Sequence, residues 1–377
     1  MLNHSLESVD ENKLLFTNRQ VQRSKLARQI YHAIGTPSIN DFKAIVTSNM
    51  IRNLPITLDD IKIAENIFGP DVGALKGKTT RQKPAPVVTD YIEIPKELIM
   101  KHQNITLCMD GMKINGVPFL TTVSRNIMYR TAEWIPKQTS ETYRSVLDTV
   151  FRLYNHAGFQ ITKIHCDNEF RPLMNELQDN YNITMNYSNP QEHVPEAERN
   201  NRVIKERFRA AFHRLPFKKL PKIMVKILTI ECAKKLNFFP PQGGISTYYS
   251  PRMIVHQQSL DYSKHCSIAF GSYVQAHTEP DPKNTQYPRT LDCIYLRYVD
   301  NDQSGHHLLD LRTGRTIKRR TVTVIPITSN VIDLVHQMAT NNNMADGLKL
   351  NQRLELYYMT PLGLQEWTMM TTLKMVI

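Results

Sequence analysis

The stretch ITKIHCDNEF, residues 161–170, begins like a buried strand and ends on a carboxylate. Ile161, Ile164 and Cys166 are residues that a buried strand carries, and Asp167 follows them directly. An ionised side chain at the edge of a core costs several kcal/mol unless it has a partner. Either another group neutralises Asp167, or Asp167 lies just outside the core and is used.

Strand and helix patterns continue on both sides of this stretch. Residues 104–114, NITLCMDGMKI, predict a first strand with Asp110 near its middle, and Asn115-Gly116 is a hairpin signal. Two more strands follow, PFLTTVSR and IMYRTAEWI, and then a helix from Thr139 or Ser140 to about His156. After this helix come the strand ITKIHCD, the helix EFRPLMNELQDNY and the strand ITMNYS. Two further helices are predicted at about 194–214 and 221–236. This order predicts an α/β mixed sheet covered by helices on both faces, with strands one and four able to be neighbours.

Composition shifts divide the rest of the chain. Helix caps at Ser38 and Thr57 predict a small helical domain, either of the helix-turn-helix kind or one that only packs or dimerises. Short strands after residue 265 predict a small all-β domain, a barrel or a sandwich. The predicted domains are a disordered tail (1–17), a helical domain (18–70), a basic linker (71–99), the α/β core (100–238), a connector (239–265), the β-barrel (266–326) and a C-terminal extension (327–377).

Composition limits the class of protein. The chain has 377 residues and a formal net charge of +12, which favours a polyanionic partner such as nucleic acid. Five widely spaced cysteines without a CxxC pair argue against disulfides and cysteine zinc sites, and fit a reducing compartment. No apolar run approaches the roughly 20 residues of a membrane span, and the first residues lack the apolar core of a signal peptide.

A third acid joins the two strand aspartates in the helix QEHVPEAERNNRVIKERFRAAF. If Glu198 is position i, then Arg202, Lys205 and Arg209 lie at i+4, i+7 and i+11, on the same face. The apolar stripe for packing comprises Val194, Ala197, Ile204, Phe208 and Ala211. Taken singly, a strand-end aspartate is often a turn cap and a basic helix is often a solvated face. The joint arrangement is much rarer by accident.

Two strand aspartates and a helix glutamate suit a pair of Mg²⁺ or Mn²⁺ ions, which take oxygen ligands. Two such ions about 3.5–4 Å apart stabilise the attacking and leaving oxygens of phosphoryl transfer. The predicted catalytic and metal-binding residues are therefore Asp110, Asp167 and Glu198, with the row of cations holding a DNA backbone. Glu196 is the competing third acid; it stands about 200° around the helix from Glu198, so only one of the two can face the metals.

These residues resemble a known family over roughly residues 100–326. The chain resembles the integrase of copia-type LTR retrotransposons and, more widely, the retroviral integrases with an RNase H-like catalytic core. The matching stretches are LCMDGM at Asp110, IHCDNEF at Asp167, VPEAERNNRVIKE at Glu198, and then YYSPRMIVHQQ, FGSYVQAH, LDCIYLRYV and HHLLDLRTGRTI in that order. The ordered set carries the resemblance, since each piece alone is common.

The resemblance implies an enzyme with two divalent metals that trims element DNA ends and joins the 3′-hydroxyls to target DNA. It implies a homo-oligomer that holds two DNA ends, a retroelement particle and then the nucleus as locations, and no membrane. Lys318, Arg319 and Arg320 of the β-barrel are predicted to help bind DNA; a solvated charge run is the alternative. The family's zinc module is not expected, because no cysteine precedes Cys108 and His32 alone cannot bind structural zinc.

The sequence departs from the family in two places. Glu169 stands where the family usually has a glycine, and the segment between Asp167 and Glu198 is shorter than in the retroviral pattern. Two alternatives to the integrase therefore stay open. One is a catalytically degenerate DNA-binding remnant of a retroelement polyprotein, which the shortened segment favours. The other is a simple RNase H-like nuclease, which a second DNA-binding domain disfavours.

Overall fold

The structure is a computed structural model that describes residues 8–79, 91–188, 194–278, 286–299 and 305–349, together with the backbone of 351–352 and 355–356. The first seven residues of the predicted tail, part of the predicted linker and about half of the predicted C-terminal extension lie outside the described residues.

The described residues before the first strand form six helices: α1 (Val9–Leu14), α2 (Asn18–Ala33), α3 (Ile39–Thr47), α4 (Leu58–Phe68), α5 (Val72–Lys78) and α6 (Lys96–Lys101). The side chains of Ser38 and Thr57 accept hydrogen bonds from the backbone N–H groups of Asp41 and Asp60, so both caps were predicted correctly. Helices α2, α3 and α4 enclose a core of their own built around Tyr31, Phe42 and Ile61, among other residues.

The predicted tail and linker are more ordered in their described parts than the sequence indicated. Ser8 caps α1 through a capping box, and the Val9 N–H donates to Ile327 O over 2.8 Å. Asp71 caps α5, and Lys76 Nζ lies 2.6 Å from Oδ2 of Asp292, which belongs to a strand in the later part of the chain. Local capping and these long-range bonds therefore attach segments that polarity alone predicted to be loose.

The central sheet has five strands: β1 (Asn104–Ile114), β2 (Val117–Ser124), β3 (Arg130–Trp134), β4 (Gln160–Cys166) and β5 (Thr184–Tyr187). Their order is β3-β2-β1-β4-β5. Strands β1, β2 and β3 pair antiparallel, whereas β4 pairs parallel with both β1 and β5. The mixed sheet and the neighbouring first and fourth strands are thus confirmed.

The hairpin between β1 and β2 follows from its turn residues. Asn115 and Gly116 have φ angles of 47° and 77°, both in the left-handed region. Asparagine and glycine tolerate this region best, and two consecutive residues in it match the right-handed twist of the paired strands. Ile114 therefore faces Val117 directly across the turn.

Helices cover both faces of the central sheet. They are α7 (Ser140–His156), a 3₁₀ turn (Asn168–Leu173) that runs into α8 (Met174–Tyr181), α9 (Pro195–Phe212) and α10 (Lys222–Leu236). Ile105, Leu107 and Met109 of β1 pack with α7 and α8, whereas Met112 and Ile114 pack with α9 and α10. Since strand side chains alternate between faces, Asp110 belongs to the face that α9 covers.

The remaining elements are α11 (Pro251–His256), α12 (Tyr262–His265), β6 (Tyr273–His277), β7 (Thr290–Tyr298), β8 (His306–Asp310), β9 (Thr316–Arg319), β10 (Val322–Val324), α13 (Ser329–Asn341), β11 (Asn351–Gln352) and β12 (Glu355–Leu356). Strands β6 to β10 form an antiparallel sheet in the order β10-β6-β7-β8-β9. Only Arg320 and Thr321 separate the two edge strands β9 and β10, so the sheet curls back on itself like a small barrel.

The second sheet shares a hydrophobic core with the first. Ile294, Leu296 and Leu309 of the second sheet belong to the same buried cluster as Met224 and Leu228 of α10. Val335 of α13 joins this cluster as well. The described part of the chain from β1 to α13 is therefore held together by apolar burial rather than by a linker alone. No helix among the described residues is long and apolar enough to span a membrane.

Because the core is shared, a cavity in the second sheet should destabilise the first. Leu296 is 1% exposed, so Leu296→Ala is expected to lower the free energy of unfolding by about 2–5 kcal/mol. Trp134 packs against the shared cluster and reports on the first sheet. In a Trp367→Phe background, the unfolding transitions followed by Trp134 fluorescence and by circular dichroism should both shift to lower denaturant concentration, and by the same amount.

The control is Leu334→Ala on α13, whose side chain is 42% exposed and should change little. An unchanged Trp134 transition in Leu296→Ala would mean that the two sheets unfold independently.

Candidate active site

The two aspartates lie on neighbouring strands, Asp110 within β1 and Asp167 just after the end of β4. Cys108 of β1 pairs with His165 of β4 in parallel register, and each aspartate follows two residues later. Asp110 and Asp167 are therefore level with one another where the strand pairing ends. Asp167 occupies the N-cap position of the 3₁₀ turn, yet its side chain makes no capping hydrogen bond. The turn-cap interpretation of Asp167 therefore does not hold, and its carboxylate lies just outside the core.

Like charges meet at Asp110. Burial raises the pKa of Asp110, the charge of Asp167 raises it further, and the charges of Glu169 and Glu198 add to this, so that it reaches about 6. The Gly111 N–H opposes the shift because it donates to Asp110 Oδ1 over 2.6 Å. The charges of three other carboxylates thus disfavour the charged form of Asp110.

The two glutamates of α9 face different partners. Glu196 Oε1 lies 2.6 Å from Arg125 Nη2, in the turn after β2. Glu198 instead contributes to the electrostatic field at Asp110. This division follows from the rotation of about 200° between residues two apart on a helix. The arrangement favours Glu198 over Glu196 as the third acid of the predicted triad, and the assignment stays a prediction.

Asn201 is a site residue that the sequence analysis missed. Its Nδ2 donates to Asp110 Oδ2 over 2.7 Å, and its Oδ1 accepts from the Thr121 hydroxyl over 2.5 Å. Thr121 lies opposite Asp110 on β2 and also donates to the Asp110 carbonyl. Asn201 therefore ties α9 to both strands and fixes one oxygen of Asp110. Its position between Ala197 and Ile204 in the buried stripe was the available signal.

Glu169 is a second missed residue. A Cβ on Gly111 would lie 3.0 Å from Glu169 Oε1, so the glycine leaves the space that this carboxylate approaches. Glu169 also acts on Tyr143 of α7. The pKa of Tyr143 is raised, first by burial and then by the charge of Glu169. Glu169 therefore approaches Asp110 from the α7 side of the sheet, whereas Glu198 approaches from the α9 side. The signal was the acid two residues after Asp167.

The predicted cations divide into two groups. On α9, Arg202 and Arg209 are exposed, and Lys205 is half-buried. Burial lowers the pKa of Lys205, and the charge of Asp110 opposes this, so Lys205 stands beside the acids rather than on the open face. Lys318, Arg319 and Arg320 belong to the second sheet and the turn after β9, and Arg319 Nη1 donates to the Lys318 carbonyl over 2.8 Å.

The four carboxylates of the site have the type of ligand atom that a hard divalent cation prefers. Asp110, Asp167, Glu169 and Glu198 offer only oxygen atoms, which Mg²⁺ and Mn²⁺ prefer. Their mutual repulsion, visible in the raised pKa of Asp110, is what a bound cation would relieve. Within the described residues, however, no three acidic, histidine or cysteine side chains are arranged closely enough to hold one ion.

Removing one acid should stabilise the metal-free fold at neutral pH. The pKa of Asp110 is raised to about 6, so its contribution to stability is complete below about pH 4 and is lost as pH rises through 6. Asp167→Asn removes the largest neighbouring charge and should raise the free energy of unfolding by about 1 kcal/mol at pH 7.5. Urea denaturation in EDTA measures this.

The gain should disappear towards pH 4, where Asp110 is protonated in both variants. Glu206→Gln removes a charge from the exposed side of α9 and serves as the control. An equal gain at both pH values would contradict the proposed repulsion.

The hydrogen bonds of Asn201 should contribute to the free energy of unfolding. Asn201→Ala leaves the Thr121 hydroxyl and Asp110 without their bonds and should cost about 1–3 kcal/mol. The adjacent Asn200 is the matched control, since it is equally buried but makes one long bond of 3.4 Å to Thr122 O and its Oδ1 has no partner. Chemical denaturation should show a smaller loss for Asn200→Ala; equal losses would assign the effect to packing alone.

Comparison with known proteins adds one similarity. No protein-family model matches the sequence, and no curated protein matches it. Among solved structures, the chain is similar to the catalytic core domain of BIV integrase, with 20% identity over 40% of this chain and 93% of that chain and a TM-score of 0.28. At that TM-score the similarity does not by itself assign a family or an activity. The geometry of the site carries the argument.

Proposed function

We propose that the chain is an integrase-type polynucleotidyl transferase that uses divalent metals to cut DNA ends and join them to target DNA. The observation that carries this proposal is the parallel pairing of β1 with β4, which sets Asp110 level with Asp167 on neighbouring strands. The charge of Glu198 on α9 also acts on Asp110. The copia-type assignment, nuclear action and a homo-oligomer belong to the same proposal.

Each side chain has a role in this reaction. Asp110 and Asp167 would hold the metal pair, with Glu198 as the third ligand, and Asn201 keeps Asp110 in place by holding its Oδ2. When bound, the two ions activate the attacking oxygen and stabilise the leaving oxygen of the phosphodiester. Lys205, beside Asp110, adds positive charge close to the acids.

Exposed cations support DNA as the substrate. Arg202 and Arg209 lie one and three turns beyond Glu198 on α9 and are open to solvent. Lys318 is exposed on β9 of the second sheet. A net charge of +12 favours binding of the phosphate backbone without sequence preference, and this binding should weaken with salt.

One observation favours a second candidate, a catalytically degenerate DNA-binding remnant. The acids are near one another, but within the described residues no three of them form a ready group for one ion. The remnant and the enzyme differ in whether the acids bind metal and whether DNA is joined.

A strand-joining assay tests the proposal. Purified protein, Mg²⁺ or Mn²⁺, plasmid and a labelled duplex with the element's terminal sequence are incubated together. The wild type should give joined product, and Asp167→Asn and Glu198→Gln should each lower its rate by at least about a hundredfold, because each removes a proposed metal ligand. Glu206→Gln on the same helix should keep the activity.

The other results are informative as well. Hydrolysis without any joined product would identify an RNase H-like nuclease. Tight DNA binding without either reaction, together with no carboxylate-dependent Mn²⁺ binding, would identify the degenerate remnant. Full activity in Asp167→Asn would reject the proposed acids.

A further inference from the structure

The ion pair between Arg125 and Glu196 is not part of the proposed metal site. It joins the turn after β2 to the first turn of α9, with 2.6 Å between Arg125 Nη2 and Glu196 Oε1. We propose that this pair is a positioning element: it fixes the rotation of the first turn of α9 and thereby directs Glu198 and Asn201 towards Asp110. This inference rests on the proposed function, because it concerns the same site.

The two ends of α9 pack in different clusters. The side chains of Val194 and Ala197, at the first turn, belong to a four-residue buried cluster with Cys108 and Val123. The later part of the helix, through Ile204, Phe208 and Phe212, packs in the large shared core. The ion pair with Arg125 adds a polar contact to the end that carries the proposed acid.

Because α9 is a helix, the contact at Glu196 also sets the direction of Glu198 and Asn201 around the helix axis. Glu196 and Glu198 stand about 200° apart around the axis, so holding Glu196 against Arg125 turns Glu198 to the other side. Asn201 follows Glu198 by three residues and therefore lies on nearly the same side as Glu198. A rotation of the first turn would move Glu198 and the Asn201–Asp110 bond together.

The other end of the contact is fixed. The Arg125 N–H donates to Thr106 O of β1 over 2.9 Å, and the Ser124 N–H donates to Tyr129 O across the turn. Asn126 and Met128 have φ angles of 67° and 58°, which set a tight turn. Arg125 therefore projects from a backbone that is bonded to the same strand that carries Asp110.

Both side chains of the pair are half-exposed. Arg125 is 42% exposed and Glu196 is 41% exposed. Half-exposed ion pairs of this kind contribute little to global stability. A change at this pair can therefore alter orientation without unfolding the protein.

Charge reversal tests the inference. The variants are Arg125→Glu, Glu196→Arg and the double swap, and the readouts are Mn²⁺ affinity by electron paramagnetic resonance without DNA, the kcat and KM of strand joining, and Tm. Each single reversal should weaken Mn²⁺ binding at least about fivefold and lower kcat more than it raises KM. The double swap should restore affinity to within about twofold, because it re-forms the pair.

A second ion pair provides the control. Arg144 of α7 and Glu176 of α8 are 44% and 32% exposed and lie on the other face of the same sheet. Reversing either one should lower Tm as much as reversal at Arg125 or Glu196 does, with Mn²⁺ affinity unchanged. A purely structural role for Arg125 would make the two pairs behave alike.

Two results would overturn the inference. One is wild-type Mn²⁺ affinity in both single reversals; the other is a double swap that regains Tm but not Mn²⁺ affinity. If a reversal does not fold, Arg125→Gln and Glu196→Gln replace it, with the same loss of affinity expected. Failure of the proposed function looks different: Asp167→Asn would then bind Mn²⁺ as the wild type does.

Discussion

The parallel pairing of β1 with β4 is the constraint on which the site depends. It aligns Asp110 of β1 with Asp167, which directly follows β4, and so brings two like charges together. Other residues of the site contact or neutralise Asp110. The Gly111 N–H and Asn201 each hold one oxygen of Asp110, and Lys205 adds a nearby positive charge. A carboxylate pair that repels in this way is a source of affinity for a cation, since ion binding removes the repulsion that folding introduced.

Secondary structure could be predicted well because its causes are local. The β1–β2 hairpin follows from Asn115-Gly116, and two bundle helices follow from their caps at Ser38 and Thr57. The strands follow from apolar runs bounded by turns. The sequence also indicated that the first and fourth strands can be neighbours, and they do pair in parallel.

Other features depend on contacts between distant residues, and the sequence did not contain a local signal for them. The choice between Glu196 and Glu198 needed Arg125, which lies far away along the chain. Asn201 looked like one more polar residue of a basic helix until its bonds to Asp110 and Thr121 were known. The segments around Ser8 and Lys76 looked loose, yet each bonds to a residue more than 200 positions later. Glu169 looked like a departure from a family pattern, although it belongs to the acidic cluster.

The close approach of Glu169 to Gly111 also limits how these two positions can vary. A Cβ at position 111 would lie 3.0 Å from Glu169 Oε1, so the carboxylate would have to shift by a few tenths of an ångström. A chain that gains a side chain at 111 should therefore carry a shorter residue at 169, and a chain with an acid at 169 should keep glycine at 111. The two positions are separated along the chain but adjacent in space, so they should change as a pair when related sequences diverge.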